Sequence, residues 1–249
     1  DLYSFHSNAE SLQETYDLMH KTYSEIFQRT GLVFRAVLAD TGSIGGSHSH
    51  EFHVLADSGE DAIVFSNGSD YAANIEKAEA LPPAQNNAAG TALMAEIATP
   101  GVHTISDLSA FLAVGANQTV KSLIVSAEND DGAIQLFGLM LRGDHELNEV
   151  KAQRILGISG ELSFATEEQI ETALQCTPGS IGPVNLGLTM FVDPSAAVLT
   201  DFVCGANKND YHLTGVNWDR DCVDFSIADI CNVVAGDASP DGKGTLEIK

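Results

Sequence analysis

Nine residues, Pro82-Pro83-Ala84-Gln85-Asn86-Asn87-Ala88-Ala89-Gly90, cut this sequence in two. Neither a helix nor an inner strand can run through them. Paired prolines remove backbone donors, and the polar, glycine-ended remainder has the composition of a linker. Each side must therefore build its own structure. Before the break, Leu12, Tyr16, Met19, Tyr23 and Phe27 recur at spacings of three and four, which predicts a helix over residues 9–28, stopped by Gly31. Residues 32–39, 49–56 and 62–66 then read as strands, and the alanine-rich stretch 70–81 reads as a helix by propensity. A helix followed by successive strands is the α+β order, not βαβ alternation.

Beyond the break the elements mix. Residues 94–97, 119–126 and 134–142 read as strands. Thr104, Asn148 and Thr166 each stand where a helix would open, and Thr166 with Gln169 matches a capping box. The apolar run Leu186 to Val192 reads as a buried strand ending on Asp193-Pro194. A helical segment and the turn Gly205-Ala206-Asn207 lead to Tyr211-His212 and a last apolar run ending at Trp218. The expected fold is α/β (α+β): a mixed, twisted sheet with packed helices, preceded by a smaller antiparallel sheet.

Charge restricts the partners. With 12 Lys and Arg against 35 Asp and Glu the net charge is −23, and such a surface repels phosphate backbones, so a non-specific nucleic-acid binder is excluded. A local cationic contact to a folded RNA is not. No apolar run is long enough to span a bilayer, the first residues lack the pattern of a secretory signal, and a cytoplasmic location is expected. Cysteines 176, 204, 222 and 231 fit no zinc spacing and read as buried free thiols.

No phosphate loop, HExxH or GxSxG element is present. Residues 237–242 resemble the start of a calcium loop, but Ile248 stands where its final acid belongs. His48 and His50 would share one face of a strand and His53 the other, so a three-histidine metal site is not expected. Three residues keep two readings each. Lys121, inside the apolar strand TVKSLIV, is a snorkelling lysine or a point charge for an anion. Asp193 is a helix cap or a catalytic carboxylate. His212 is a structural histidine or a site residue.

A family resemblance tips that balance. The words SHEFHVLA (49–56), SGEDAIVFS (58–66), TVKSLIV (119–125), RGDHELNEVK (142–151), FATEEQIE (164–171), GSIGPVN (179–185), VNWDRD (216–221) and VVAGDASPDGKGTLEIK (233–249) resemble, in order, bacterial-type prolyl-tRNA synthetase. The resemblance implies a partial class II catalytic core at 1–66, a connecting helix and linker at 67–92, an inserted YbaK-like editing domain at 93–240 and a return segment at 241–249. The arginine-bearing motifs that grip ATP and the anticodon-binding domain are not among the matching words. Proline activation is therefore not expected of these residues; ATP and magnesium belong to the full-length enzyme.

By the same resemblance the insert hydrolyses alanine mischarged onto proline tRNA, and the full-length family is a homodimer. The family's editing lysine, carboxylate and histidine fall on Lys121, Asp193 and His212, and its glycine loop on Gly179, Ser180, Ile181, Gly182 and Pro183. Lys121 is expected to anchor the terminal phosphate, the loop to bind the ester or ribose, Asp193 to accept from the alanine ammonium, and His212 to shape the pocket. His50, Glu51 and Glu60 would border the remnant proline site. The implied partner is the aminoacylated 3′ end of proline tRNA, with no DNA, no membrane, no metal and no cofactor for editing. Two other readings stand beside it: a free-standing trans-editing deacylase, and a non-catalytic tRNA-docking module.

Overall fold

The computed structural model describes residues 2–39, 41, 49–56, 59, 62–84, 90–128, 133–158 and 162–249. The first helix, α1 (Ala9–Arg29), is capped by Asn8 and carries aromatic side chains onto the antiparallel pair β1 (Phe34–Leu38) and β2 (His50–Val54), where Phe27, Phe34 and Phe52 stack. Strands β3 (Ile63–Ser66) and β4 (Ala72–Asn74) complete this sheet with the last strand of the chain, β13 (Leu246–Ile248). Its order is β13-β3-β4-β1-β2, so the two ends of the chain build it together.

The helix expected over 70–81 is not there. Ala72 and Ala73 are buried in β4, which pairs with β3 and β1 in the middle of the sheet. Alanine's helix propensity is a fraction of a kcal/mol per residue, and two sheet neighbours outweigh it. The described residues of 67–92 therefore supply a strand and turns, not a connecting helix.

The second body begins with β5 (Ala95–Ala98) and α2 (Ile105–Leu112), capped by Thr104 as its sequence predicts. The hairpin of β6 (Val120–Glu128) and β7 (Ile134–Arg142) pairs over nine positions. After α3 (Glu149–Leu156), β8 (Ser163–Phe164) and α4 (Glu167–Leu174), with its Asn148 cap and Thr166 capping box in place, come β9 (Thr189–Val192), α5 (Pro194–Ala197), β10 (Phe202–Gly205), β11 (Tyr211–Val216), α6 (Trp218–Asp221) and β12 (Phe225–Ile227). The strand expected over 186–192 is shorter at its start: Asn185 and Gly187 have φ of +55° and +74°, outside extended geometry, and pairing begins at Thr189.

Two sheets, β12-β9-β7-β6-β8 and β10-β11-β5, are joined by a parallel bridge between Thr119 and Val203. Val120, Ile124, Met140, Val192, Phe202, Cys204, Leu213 and Trp218 fill the main core between them. The Trp218 indole N–H donates to the Ala196 carbonyl at 2.8 Å, so its burial leaves no donor unpaired. The opposite face of β6, β7 and β9 carries Val125, Leu139 and Leu141 against α3, Ile230 and Cys231. Thus α/β architecture with mixed sheets and packed helices is what the chain adopts.

Candidate functional site

Strand register places Lys121 and Asp193 on one row and pairs His212 with the end of a neighbouring strand. Lys121 on β6 is opposite Leu141 on β7, and the Asp193 amide donates to the Met140 carbonyl on the other side of β7. Lys121 and Asp193 therefore flank β7, roughly 10 Å apart at two strand spacings. In the other direction, the Thr119–Val203 bridge sets β10 beside the start of β6, and Gly205 at the end of β10 pairs with His212. Alternation along the strands completes the picture. Val120, Val192, Cys204 and Leu213 point into the main core, so their neighbours Lys121, Asp193, Gly205 and His212 point away from it.

The glycine loop lies against Gly205. A methyl group added there would meet the Ile181 carbonyl oxygen at 2.3 Å, and one added at Gly182 would overlap the Gly205 oxygen. The Asn207 amide donates to the Ser180 carbonyl at 2.8 Å, the Gly182 amide donates to Asn207 Oδ1 at 2.8 Å, and the Asp210 amide donates to Ser180 Oγ at 3.2 Å. Gly179 (φ +96°) packs on His103, and its backbone also lies beside the His212 ring. The structure thus brings His212 and Gly179–Pro183 together directly.

His212 is buried, with Nδ1 2.6 Å from Thr99 Oγ1. Burial lowers its pKa below 6.5; the Gly179 backbone opposes this shift and His103 adds to it. The ring is neutral at physiological pH. Lys121 shows only 17% of its side chain, and its Nζ donates to Glu146 Oε1 at 3.1 Å.

Asp193 has a cap's bonds as well as a site position. Its Oδ1 accepts from the Ser195 amide (2.9 Å) and Ser195 Oγ (2.6 Å), and its Oδ2 from the Ile230 amide (3.2 Å). Burial, then the charge and hydrogen bond of Asp193, raise the Cys231 pKa and keep the thiol protonated. With three donors and that thiol, a carboxylate's roughly four acceptor sites are taken. An ammonium would have to displace one of them.

Sequence reading missed the other members of this network. Arg142 Nη2 lies 2.7 Å from His145 Nε2, and His145 Nδ1 lies 3.2 Å from Ser195 Oγ. A guanidinium can only donate, so Nε2 accepts, the proton sits on Nδ1, and the ring donates to Ser195. A serine, a histidine and an aspartate thus meet without making a nucleophilic triad, because His145 has no lone pair facing Ser195. The same assignment bears on His145, Asp193 and Cys231, whose ligand atoms lie within 4.8 Å of one another and have the composition of a metal centre. A cation there would need the proton on Nδ1 to leave, turning Nε2 into a donor against Arg142.

The remnant candidates lie elsewhere. His50 and Glu51 are adjacent on β2 and so on opposite faces; His50 Nδ1 is 2.7 Å from the Tyr16 hydroxyl, and Glu51 pairs with His53 at 3.0 Å. Glu60 and His48 lie outside the described residues.

Residues 99–222 match the family model described as aminoacyl-tRNA editing domain. Thr99, the first matched residue, is the one that holds His212. Among solved structures, hypothetical protein APE2540 is 18% identical, with 56% of this chain and 92% of that one covered and a TM-score of 0.47. A structure described as a candidate trans-editing enzyme for prolyl tRNA synthetase is 20% identical, with 56% and 87% covered and a TM-score of 0.47. Among the described residues no helix is long and apolar enough to cross a membrane.

Proposed function

We propose, from the match of residues 99–222 to an aminoacyl-tRNA editing domain, that this chain hydrolyses alanine esterified to proline tRNA, as the editing part of a proline–tRNA ligase. The observation that carries the proposal is the glycine loop closed on Gly205 and beside His212, next to the sheet that carries Lys121 and Asp193, inside the matched region.

The chemistry follows from the groups present. Hydrolysis joins water to the alanyl carbonyl carbon and returns the ribose oxygen as a hydroxyl. Lys121 fixes the terminal phosphate as a point charge at the end of a packed stem. The backbone of Gly179–Pro183 faces the ester and the ribose, where amides stabilise developing negative charge. Neutral His212 forms a wall beside the aminoacyl group. Asp193 is tied to Ser195 and Ile230 and acts first by holding the β9–α5 corner. Water is the nucleophile, positioned by the site and the terminal ribose.

Selectivity for alanine has a physical basis in size. A synthetic pocket built for proline gains only about 1–3 kcal/mol per methylene against a smaller amino acid, so a second pocket too small for proline is needed. The synthetase context rests on the resemblance of residues 1–66 and 233–249, and the pairing of β13 with β3, which makes 99–222 an insertion into a sheet formed by the chain's two ends, supports it. ATP, magnesium, the homodimer and a cytoplasmic site of action belong to that context.

The test is deacylation of alanyl and prolyl esters on the proline tRNA body. Alanine release at least tenfold faster than proline release, and its loss in Lys121→Ala, are expected. Equal rates for both esters would sink the size argument. A Lys121→Ala variant that binds the tRNA weakly, beside a wild type without hydrolysis, would instead indicate a docking module.

A further inference from the structure

The Lys121 ammonium is not bare. It is held by Glu146, a carboxylate whose side chain is 80% exposed while the lysine's is 17% exposed. The pairs Lys21–Glu25, Lys208–Glu96, Arg142–Asp144, Lys151–Asp229 and Arg220–Asp221 show smaller contrasts, their partners being at most 60% exposed. Here the cation is fixed and the anion is free to leave.

The backbone around Glu146 explains why only its side chain can move. The Asn232 amide donates to the Glu146 carbonyl at 2.9 Å, Leu147 bridges Cys231, and the Asn148 amide donates to the Ile230 carbonyl at 2.8 Å. On the N-terminal side Arg142 grips both Asp144 oxygens, at 2.6 and 3.0 Å. The turn is therefore pinned on both flanks, and departure of the carboxylate is a rotamer change with no cost in backbone rearrangement.

We propose that Glu146 is a tethered stand-in for the substrate's phosphate and a binding residue that sets the apparent affinity of the editing site. Resting on the reading of Lys121 as the phosphate anchor, this assigns to Glu146 the exchange step. In the free protein its carboxylate occupies the ammonium; the terminal phosphodiester of an aminoacylated RNA displaces it. A small free anion must win that exchange with one contact. The RNA end brings further contacts to the glycine loop and His212, while the competitor weakens every ligand that needs the ammonium by the same factor. Apparent affinity falls by the fraction of time the ammonium is vacant. An exposed pair of this kind sets the effect at up to about fivefold.

Calorimetric titration of the whole chain with adenosine 5′-monophosphate, a probe carrying the terminal nucleotide's phosphate, tests this. Glu146→Gln is expected to bind it about two- to fivefold tighter than wild type. Glu149→Gln removes the same charge nearby without touching Lys121 and is expected to leave affinity at the wild-type value. The Michaelis constant for alanyl-tRNA should fall in Glu146→Gln with kcat unchanged. Equal affinities for wild type and Glu146→Gln, or an equal gain in Glu149→Gln, would overturn the exchange role while leaving Lys121 as anchor. If Lys121→Ala in the Glu146→Gln background loses no affinity for the probe, the anchor itself is refuted. Unchanged thermal unfolding of Glu146→Gln, whose side chain is exposed, confirms that the comparison is between folded proteins.

Discussion

Gly205→Ala is the sharpest probe of the site, because it adds one carbon where the glycine loop meets the strand. The new methyl group would lie 2.3 Å from the Ile181 oxygen and 2.4 Å from the carbonyl carbons of Ile181 and Ser180, all backbone atoms that cannot rotate away. Ordinary contact begins at 3.4 Å, so loop and strand must part by about 1 Å. The loop cannot lift freely, since the Asn207 amide and side chain hold the Ser180 and Val184 carbonyls at 2.8 Å each. Overpacking of this kind costs about 1–3 kcal/mol. A 1 Å misplacement of positioning groups costs roughly 100-fold in rate. Single-turnover release of alanine from alanyl-tRNA, measured beside thermal unfolding, should show both losses. Gly157→Ala is the control: φ is +67° at the C-cap of α3, nothing lies within 4 Å of the added carbon, and the strain is about 1–2 kcal/mol with no route to the site. A Gly205→Ala protein that is folded and releases alanine within twofold of wild type would refute the placement of the loop in the site.

Two further measurements follow from burial. The folded His212 pKa lies below 6.5, so the unfolded chain takes up its proton first as pH falls; the His212 contribution to stability is complete above about pH 7 and is lost as pH drops through 6.5 toward the folded value. Unfolding by denaturant between pH 7.5 and 5.5 should show this slope in wild type, and His212→Asn should flatten it; an unchanged slope in the variant would assign the effect elsewhere. Burial also raises all four thiol pKa values, that of Cys222 to about 12, so no cysteine should react with a disulfide reagent at pH 8 until the protein unfolds. Rapid labelling of one native thiol would show that its neighbourhood opens.

The parts of the fold legible in the sequence were those fixed within one turn of chain. Thr104, Asn148 and Thr166 cap their helices because a side-chain oxygen three residues from an amide is a local fact. The alanines at 72 and 73 misled because their place is decided by partners outside the stretch: Val64 pairs with Ala73, and Leu38 lies on its other side. Lys121 stood out as a charge within apolar residues, but its partner Glu146 is 25 positions away and belongs to no spacing rule. His145 and Ser195 carried no signal at all, since their meaning appears only when the end of β7, the start of α5 and residues 230–231 converge. Asp193 was legible as a cap, because its carboxylate accepts from an amide two residues on.

The acidity of the chain and an RNA substrate are compatible for a reason that lies in this convergence. A surface of net charge −23 gains little from general attraction to phosphates, so affinity has to be concentrated where a cation is held in place. Lys121 meets that need: its stem packs on the α3 side of the sheet, flanked by Leu123 and opposite Leu141, and only its tip reaches the surface. On the proposed reading, the packed stem holds the ammonium in place once Glu146 has left it. On that reading geometry, more than charge, selects the ligand, and the Arg142–His145–Ser195–Asp193 chain locks the neighbouring corner.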